Sequence, residues 1–335
     1  MLKLLQLIKL LMRYWRYKIQ LIFVLCIISS SVYAQEDGCQ NQFFECSNVY
    51  SSLVYDDNSK QIISQKRSNN FIYPASLVKV MTVYLVFEAI EKRQIKLDDI
   101  LAFSARGEEI SKVNKITTLN IKEGDYISVE DAIKGTIIKS LNEAAIVLAE
   151  AVAGDEWSFV RLMNKKAQEL GMINTSFYNA TGLHEQGQYT TSYDLARLVN
   201  ALRKNFPQFY HYFSEKTFSF NDKSFRTHNN VLLEYEGAEG LKTGFTKASG
   251  FNLISIAKKN DRRLISILAN CSTVEGRDQQ TKDIFDRFFI DINLSNISPL
   301  KERINKNFKY SKVSSRSKYF DNLDNKLRIG GGFFE

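Results

Sequence analysis

The chain has 335 residues, 44% of them hydrophobic, and its 45 basic and 37 acidic side chains give a formal net charge of +8; one large domain or two small ones with a substantial core can form. The basic excess lies at the ends: residues 1–34 carry five basic and no acidic residues, and residues 293–335 carry nine against four. The middle, residues 35–292, is slightly acidic, which argues against a nucleic-acid-binding face on the folded part.

The N-terminal segment has the pattern of a secretory signal peptide. Three basic residues precede an uncharged run, 19–34, which ends in the small residue Ala34. The run is shorter than the ~20 residues that a membrane-spanning helix needs. We therefore expect residues 1–34 to be a signal peptide, cleaved near Ala34 on export to the periplasm or cell envelope. Met12 is an alternative start to Met1.

The secondary-structure pattern places strands at both ends of the domain and helices between them. Strands at 52–56 and 61–64 flank a polar turn and predict a β-hairpin. A helix begins at Ser76, and residues 97–126 look loop-rich. Further helices are predicted at 128–138, 142–152, 156–170 and 192–203. Strands follow at 241–245, 251–257 and 262–269, and an amphipathic helix at 279–290 ends the domain.

This order predicts an α/β fold: an antiparallel sheet flanked by helices, with a mostly helical inserted subdomain. The domain is expected to span 41–292. Residues 293–335 form a basic tail that is too short for a second domain. We expect this tail to be solvated and flexible, and weak contact with a membrane surface is the alternative.

The cysteines and histidines predict no metal site. Cys39 and Cys46 could close a small disulfide loop in an oxidising compartment, or stay unpaired. Cys271 ends an apolar run and is expected to be a buried core thiol. The histidines are too widely separated to form a ligand cluster: His184, His211 and His228. We expect no metal and no cofactor.

The segment from Tyr73 to Thr82 contains the groups needed for nucleophilic catalysis. Pro74 is suited to the start of a helix, and a spacing of three places Ser76 and Lys79 on one helical face. An uncharged lysine can act as the base that activates a serine. The same Ser-x-x-Lys pattern occurs elsewhere, so it is weak alone: Ser255, Ser298 and Ser315. Ser255 lies on a predicted strand, where this spacing puts the side chains on opposite faces.

Two further short motifs support the catalytic interpretation. Ser140-Leu141-Asn142 lies in the turn between two predicted helices, and Lys242-Thr243-Gly244 lies on a predicted strand. Their order and their positions on a helix, an inter-helix turn and a strand make a chance combination improbable.

With these motifs the chain resembles the serine D-alanyl-D-alanine carboxypeptidases, the low-molecular-mass penicillin-binding proteins of peptidase family S11. The resemblance spans residues 51–289. Beyond the three motifs, the matching segments are Pro74–Ser76, Ile137–Ala145, Leu170–Met172, Gly182–Leu183, Tyr189–Thr191, Gly240–Gly244 and Gly276–Arg277. The resemblance implies a β-lactamase/transpeptidase-like fold, peptidoglycan stem peptides as substrate and β-lactam antibiotics as covalent inhibitors. Leu141 departs from the family, which has a small residue at this position.

The resemblance also implies a catalytic role for three residues. Ser76 would be acylated and Lys79 would take its proton, provided that its amine is neutral. Burial and the nearby cation Lys242 are both expected to lower the pKa of Lys79. Ser140 would pass a proton from Lys79 or Lys242 to the leaving amine.

Substrate binding is assigned by the same resemblance. Asn142 would hold the amide on the acyl side, and the backbone N–H groups of Ser76 and Phe245 would form the oxyanion hole beside Gly244. Thr243 and Arg277, with Lys242, would bind the terminal carboxylate. The alternatives are a helix cap for Asn142, an ordinary strand position for Thr243 and a surface charge for Arg277.

Several activities remain open at this point. A transpeptidase or D,D-endopeptidase would use the same residues. A class A β-lactamase is disfavoured because the sequence has no Glu-x-x-Leu-Asn stretch. A non-catalytic protein that binds cell-wall peptides is disfavoured by the intact motifs.

Overall fold

The computed structural model describes residues 50–113 and 118–295, with the backbone alone for 291–295. The predicted signal peptide 1–34, the cut at Ala34, the Cys39 and Cys46 pair and residues 296–335 of the tail lie outside the described residues. In the two described ranges, no helix combines the length and the apolar character needed to cross a membrane.

Neighbouring strands are antiparallel in all three sheets of the described residues. Nine strands are present in the described ranges: β1 (Ser51–Asp56), β2 (Gln61–Lys66), β3 (Ile100–Ala102), β4 (Tyr126–Ser128), β5 (Thr217–Phe220), β6 (Lys223–Arg226), β7 (Ala238–Thr246), β8 (Gly250–Lys259) and β9 (Arg262–Cys271). The main sheet has the order β2-β1-β9-β8-β7, and β3-β4 and β5-β6 form two separate two-stranded sheets. The first strand thus pairs with the last, and β7 is left as an edge.

The helices surround this sheet and form most of the middle of the chain: α1 (Lys79–Glu91), α2 (Ala105–Val113), α3 (Val129–Lys134), α4 (Asn142–Ala153), α5 (Glu156–Glu169), α6 (Ser192–Asn205), α7 (Asn230–Glu234) and α8 (Val274–Ser295). Four of them begin at a side-chain cap: Ser128, Asp155, Thr191 and Asn229 each accept a hydrogen bond from a backbone N–H in the first turn. The predicted α/β class, with its helical insert, is confirmed.

Three predicted boundaries are wrong. Residues 97–126 hold helix α2 as well as β3 and β4; an interior Gly107 and a mostly polar surface hide this helix from the periodicity. Helix 128–138 is an α-helix only to Lys134, and Gly135–Lys139 continues as a wider π-type turn. The last helix begins at Val274 rather than 279.

Helix α1 lies in the centre of the core. Ten of its residues are buried, including Lys79, so the helix is packed on all sides rather than on one stripe. The aromatic side chain of Phe87 contacts Phe206, Phe209 and Phe213 behind it. Cys271 is a buried thiol, as predicted. Such packing gives the start of α1 a fixed position relative to the sheet.

Candidate active site

The nucleophile turn is the four-residue 3-10 segment Ala75–Val78, which leads directly into α1. The sequence predicts Ser76 in the first turn of an α-helix; the structure instead places it in this tighter turn, where Ala75 has a positive φ of 50°. Lys79 then begins the α-helix, and its Nζ lies 3.1 Å from Ser76 Oγ. The predicted pairing of serine and lysine is therefore present.

Lys79 is 1% exposed and has three oxygen neighbours. Besides Ser76 Oγ, its Nζ lies 2.7 Å from Asn142 Oδ1 and 2.5 Å from the carbonyl oxygen of Thr181. A neutral amine has two N–H groups and one lone pair. The amide and carbonyl oxygens of Asn142 and Thr181 can only accept, so they take the two N–H groups. The lone pair is thereby directed at the Ser76 hydroxyl.

The electrostatic surroundings favour this neutral amine. Burial lowers the pKa of Lys79 well below its ordinary value, and the positive charge of Lys242 lowers it further. The buried carboxylate of Glu143 acts in the opposite direction on the same pKa. The sequence-based expectation of a lowered Lys79 pKa is supported, with burial as the largest cause.

The side chain of Asn179 binds the loop segment that carries Thr181. Asn179 Oδ1 accepts hydrogen bonds from Thr181 N–H, Thr181 Oγ1 and Gly182 N–H. Gly182 has a φ of +82°, and a Cβ at this position would lie 1.9 Å from the carbonyl oxygen of Ala75. The loop therefore presses directly on the nucleophile turn. Asn179 and Thr181 were not predicted from the sequence; the nearby Gly182-Leu183 match was the only signal.

We expect Asn179→Leu to slow both acylation by penicillin and substrate turnover by ~10- to 100-fold, because a small displacement of the Thr181 carbonyl misdirects the Lys79 lone pair. Stopped-flow acylation measures this. Asn164→Leu is the matched control: Asn164 also anchors the same loop, through the N–H and C=O of Phe177, but does not touch Thr181. Equal acylation rates for the two variants would contradict the assignment.

Ser140 has a backbone conformation that is uncommon for a residue other than glycine. It has φ 62° and ψ 32°, the left-handed conformation, at the end of the π-type turn, and α4 begins two residues later. Its Oγ lies 2.9 Å from Lys242 Nζ, so it pairs with Lys242. Leu141, the departure from the family pattern, is fully buried in the core. Gly135 makes room for it, since a Cβ there would lie 2.8 Å from Leu141 Cδ1.

Strand β7 supplies the opposite wall. Lys242 is 3% exposed, and its Nζ donates to Ser140 Oγ and to the carbonyl of Thr243, both at 2.9 Å. Burial, followed by the charge of Arg277, lowers the pKa of Lys242 to about 7. Asn142 is 5% exposed and is the first residue of α4 rather than its cap, which is Leu141. Thr243 lies half-buried on β7.

Gly244 permits the closest approach of β7 to the nucleophile turn. A Cβ on Gly244 would lie 3.0 Å from Pro74 O, 3.1 Å from Ser76 N and 3.2 Å from Leu77 N, so a larger residue would push the strand away. The backbone of Phe245 follows directly after this contact. Its ring is 52% exposed and stacks on Phe251.

Arg277 lies inside the first turn of α8 and is 3% exposed, so the surface-charge alternative is wrong. Its Nε and Nη2 donate to Asp278 Oδ1 at 2.9 and 2.7 Å, and Nη1 lies 3.4 Å from Asn252 O. The guanidinium is thus already paired with a carboxylate. It is still close enough to Lys242 to act on the pKa of that amine.

His228, which the sequence did not indicate as a site residue, lies close enough to Lys242 for that charge to act on its pKa. His228 Nε2 lies 2.8 Å from Lys139 Nζ and accepts a hydrogen bond from this ammonium group. Burial and the charges of Lys139 and Lys242 lower the pKa of His228 to about 4, so the ring is neutral at pH 7. The positive charge in this part of the site is therefore carried by lysine and arginine.

The comparison with protein families agrees with this geometry. The family described as peptidase S11, D-alanyl-D-alanine carboxypeptidase, matches residues 45–273. The chain belongs to this family. Among curated S11 proteins, D-alanyl-D-alanine carboxypeptidase DacD of Escherichia coli (strain K12) is 35% identical over 237 residues, which are 69% of this chain and 61% of that protein. The chain thus spans about three fifths of the length of that relative.

Solved structures agree with the S11 assignment. Penicillin binding protein 5 from Haemophilus influenzae superposes with a TM-score of 0.69 at 30% identity, over 72% of this chain and 71% of that one. Penicillin-Binding Protein D2 from Listeria monocytogenes, in the ampicillin bound form, gives a TM-score of 0.63 at 27% identity, over 71% and 96%. The resemblance stated from the sequence and the β-lactamase/transpeptidase-like fold are both confirmed.

Proposed function

We propose that the protein is a serine-type D-alanyl-D-alanine carboxypeptidase that removes the C-terminal D-alanine from peptidoglycan stem peptides. The observation that carries this proposal is the buried Lys79 amine, whose Nζ lies 3.1 Å from Ser76 Oγ and is also bound by Asn142 and Thr181. The S11 family match supports the same chemistry.

Acylation follows from the arrangement of Ser76 and Lys79. The Ser76 Oγ attacks the carbonyl carbon of the penultimate D-alanine while its proton passes to Lys79 Nζ. The N–H groups of Ser76 and Phe245 stabilise the oxyanion, at ~3 kcal/mol for each donor. The C–N bond then breaks, and Ser140 passes a proton from Lys79 or Lys242 to the leaving amine. Water hydrolyses the resulting ester and releases the shortened peptide.

The terminal carboxylate is held at the Lys242 end of the site. The Lys242 ammonium and the Thr243 hydroxyl bind it, and Arg277 contributes mainly through its charge because its donors already engage Asp278. Asn142 Nδ2 holds the acyl-side amide, since Oδ1 is engaged by Lys79. Because the Lys242 end of the site is cationic and binds one carboxylate, the enzyme removes only the last residue of the peptide.

The cellular setting is part of the proposal. Export by the signal peptide 1–34 and action in the periplasm or cell envelope would bring the enzyme to its substrate in cell-wall biogenesis. The ampicillin bound form of the Listeria relative supports β-lactams as covalent inhibitors on Ser76.

Product analysis tests the proposal. We expect release of free D-alanine from a pentapeptide ending in D-Ala-D-Ala, and a stable mass increase equal to one penicillin. Cleavage of a crosslinked dimer instead would indicate a D,D-endopeptidase, and a new crosslink a transpeptidase. Rapid penicillin turnover would indicate a β-lactamase. Binding of muropeptide with neither reaction would contradict catalysis altogether.

The pH dependence of kcat/KM should have two limbs. On the acid side activity falls as Lys79 gains a proton; on the alkaline side it falls as Lys242 loses one, from a pKa of about 7 in the free protein. A bound carboxylate favours the charged amine, so the alkaline limb of kcat should lie at higher pH. Lys242→Arg should remove this limb because a guanidinium does not deprotonate. An unchanged alkaline limb in this variant would contradict the assignment.

A further inference from the structure

A cavity of about 340 Å³ opens beside the nucleophile turn and is not used by the chemistry above. We call it the aromatic cleft; it is lined chiefly by Tyr50, Phe71, Tyr73, Gln186, Tyr189 and Asn270. Its volume is at the small end of ligand pockets, which measure ~300–1,000 Å³. None of the described residues that line it is an acid, a lysine, an arginine or a histidine.

The aromatic rings of the cleft are exposed but rigidly presented. Phe71 is 60% exposed and Tyr189 36%, and their ring centroids are 4.8 Å apart. An antiparallel bridge between Ile72 and Thr190 fixes the neighbouring backbone on both sides, and Tyr189 also exchanges two backbone hydrogen bonds with Ser176. Exposed aromatic area held in this way is typical of a binding surface.

The cleft is joined to the catalytic site by hydrogen bonds. Asn252 Nδ2 donates to the carbonyl oxygens of Tyr73 and Pro74, and Asn252 Oδ1 accepts from Asn270 N–H. Tyr73 and Asn270 line the cleft, and Ser76 follows Tyr73 by three residues. The cleft and the nucleophile therefore belong to one rigid unit.

The direction of β7 brings a bound substrate towards the cleft. The carboxylate lies at Lys242 in the proposed function, and the scissile carbonyl lies at the N–H of Phe245. The acyl part then extends past Thr246 to Ser249, which lines the cleft. Strand β7 ends at Thr246, and Ser249 lies in the turn 247–249 that follows it, so the cleft meets the part of the substrate that extends beyond the end of the strand, away from the Lys242 end.

We propose that the aromatic cleft binds a pyranose ring of the amino-sugar strand that carries the stem peptide; this deepens the proposed function and rests on it. The C–H face of a sugar ring packs on the negative face of an aromatic ring. Its hydroxyl and acetamido groups match the side-chain amides of Gln186 and Asn270, which make no hydrogen bond within the described part of the chain. A charged group would find no counter-charge among the described residues that line the cleft; the Arg67 guanidinium lies 5.4 Å from the centroid of the Tyr50 ring.

The test compares D-alanine release from a disaccharide-pentapeptide and from the same pentapeptide without sugar. In the wild type we expect kcat/KM to be ~3- to 10-fold higher for the sugar-bearing substrate, since one stacking contact is involved. In Phe71→Ala the ratio of kcat/KM for the sugar-bearing substrate to kcat/KM for the free pentapeptide should fall towards one. Trp157→Ala is the matched control: Trp157 is 69% exposed and lies on α5, outside the cleft, and the ratio should stay at the wild-type value.

A second measurement separates failure of this proposal from failure of the proposed function. Saturation-transfer NMR with the free disaccharide and Ser76→Ala protein reports sugar binding without catalysis, and Phe71→Ala should abolish the signal. Equal kcat/KM for both substrates, or a preference that survives in Phe71→Ala, overturns the cleft assignment while D-alanine release still stands. If neither substrate releases D-alanine, the proposed function fails, and the NMR signal alone decides on the cleft.

Discussion

Replacing Ser76 with alanine is expected to abolish both D-alanine release and the covalent penicillin adduct. No other hydroxyl in the described structure lies within hydrogen-bond distance of Lys79 Nζ, so the acyl group has no alternative acceptor. In other serine hydrolases, removal of the nucleophilic serine lowers kcat by roughly 10⁴- to 10⁶-fold. Intact-mass analysis after incubation with penicillin gives the result directly, since the adduct is either present or absent.

Ser255 provides a matched control for this experiment. It also precedes a lysine by three residues, in Ser255-Ile256-Ala257-Lys258, but it is fully buried on β8 and donates to Gly240 O at 3.2 Å. Ser255→Ala should cost ~1 kcal/mol of stability through this lost hydrogen bond and still form the adduct. An adduct on Ser76→Ala protein, or its loss in Ser255→Ala alone, would disprove the assignment of the nucleophile.

Lys79→Met and Lys79→Arg should both slow acylation by roughly 10²- to 10⁴-fold, because neither side chain can offer a lone pair at neutral pH. The pair of variants separates two roles of the lysine. If Lys79 acted as a fixed cation, arginine would retain much of the rate and methionine none. Stopped-flow acylation with a chromogenic β-lactam measures both rates, and thermal unfolding confirms that each variant is folded.

Lys79→Met should also change how the free energy of unfolding depends on pH. In the folded protein the pKa of Lys79 lies well below 10.5, so between these values the unfolded chain binds a proton that the folded chain does not. Stability therefore rises with pH in this window, by up to ~1.4 kcal/mol per pH unit for this one group. Lys79→Met should lower the slope by this amount, as measured by urea unfolding at a series of pH values. An identical slope would mean that Lys79 is charged in the folded state.

Much of the site could be predicted because short-range patterns carry it. Ser76 and Lys79 are three residues apart, Ser140 and Asn142 are two residues apart, and Lys242 to Phe245 follow one strand. In each case local geometry decides which side chains share a face. The long-range step, that these three segments meet, came from the family resemblance rather than from the residues themselves.

The parts that the sequence did not reveal depend on tertiary contacts. Thr181 acts through a backbone carbonyl, and its side-chain identity says little about where that carbonyl points. Asn179 looks like any loop asparagine until its three hydrogen bonds are seen. Arg277 could be interpreted as a surface charge because the residues around it are polar; only the packing of α8 on β8 and β9 buries it beside Asp278.

The burial of Lys79 also determines how the protein responds to transient acid exposure. Once the pH falls below the folded-state pKa of this amine, both folded and unfolded chains carry the proton, and Lys79 adds no further destabilisation. Catalysis stops below this pKa because the lone pair of Lys79 is protonated. A further fall in pH does not change the contribution of Lys79 to the free energy of unfolding. Protonation of Lys79 is therefore by itself a reversible inhibition, and activity returns when neutralisation removes the proton.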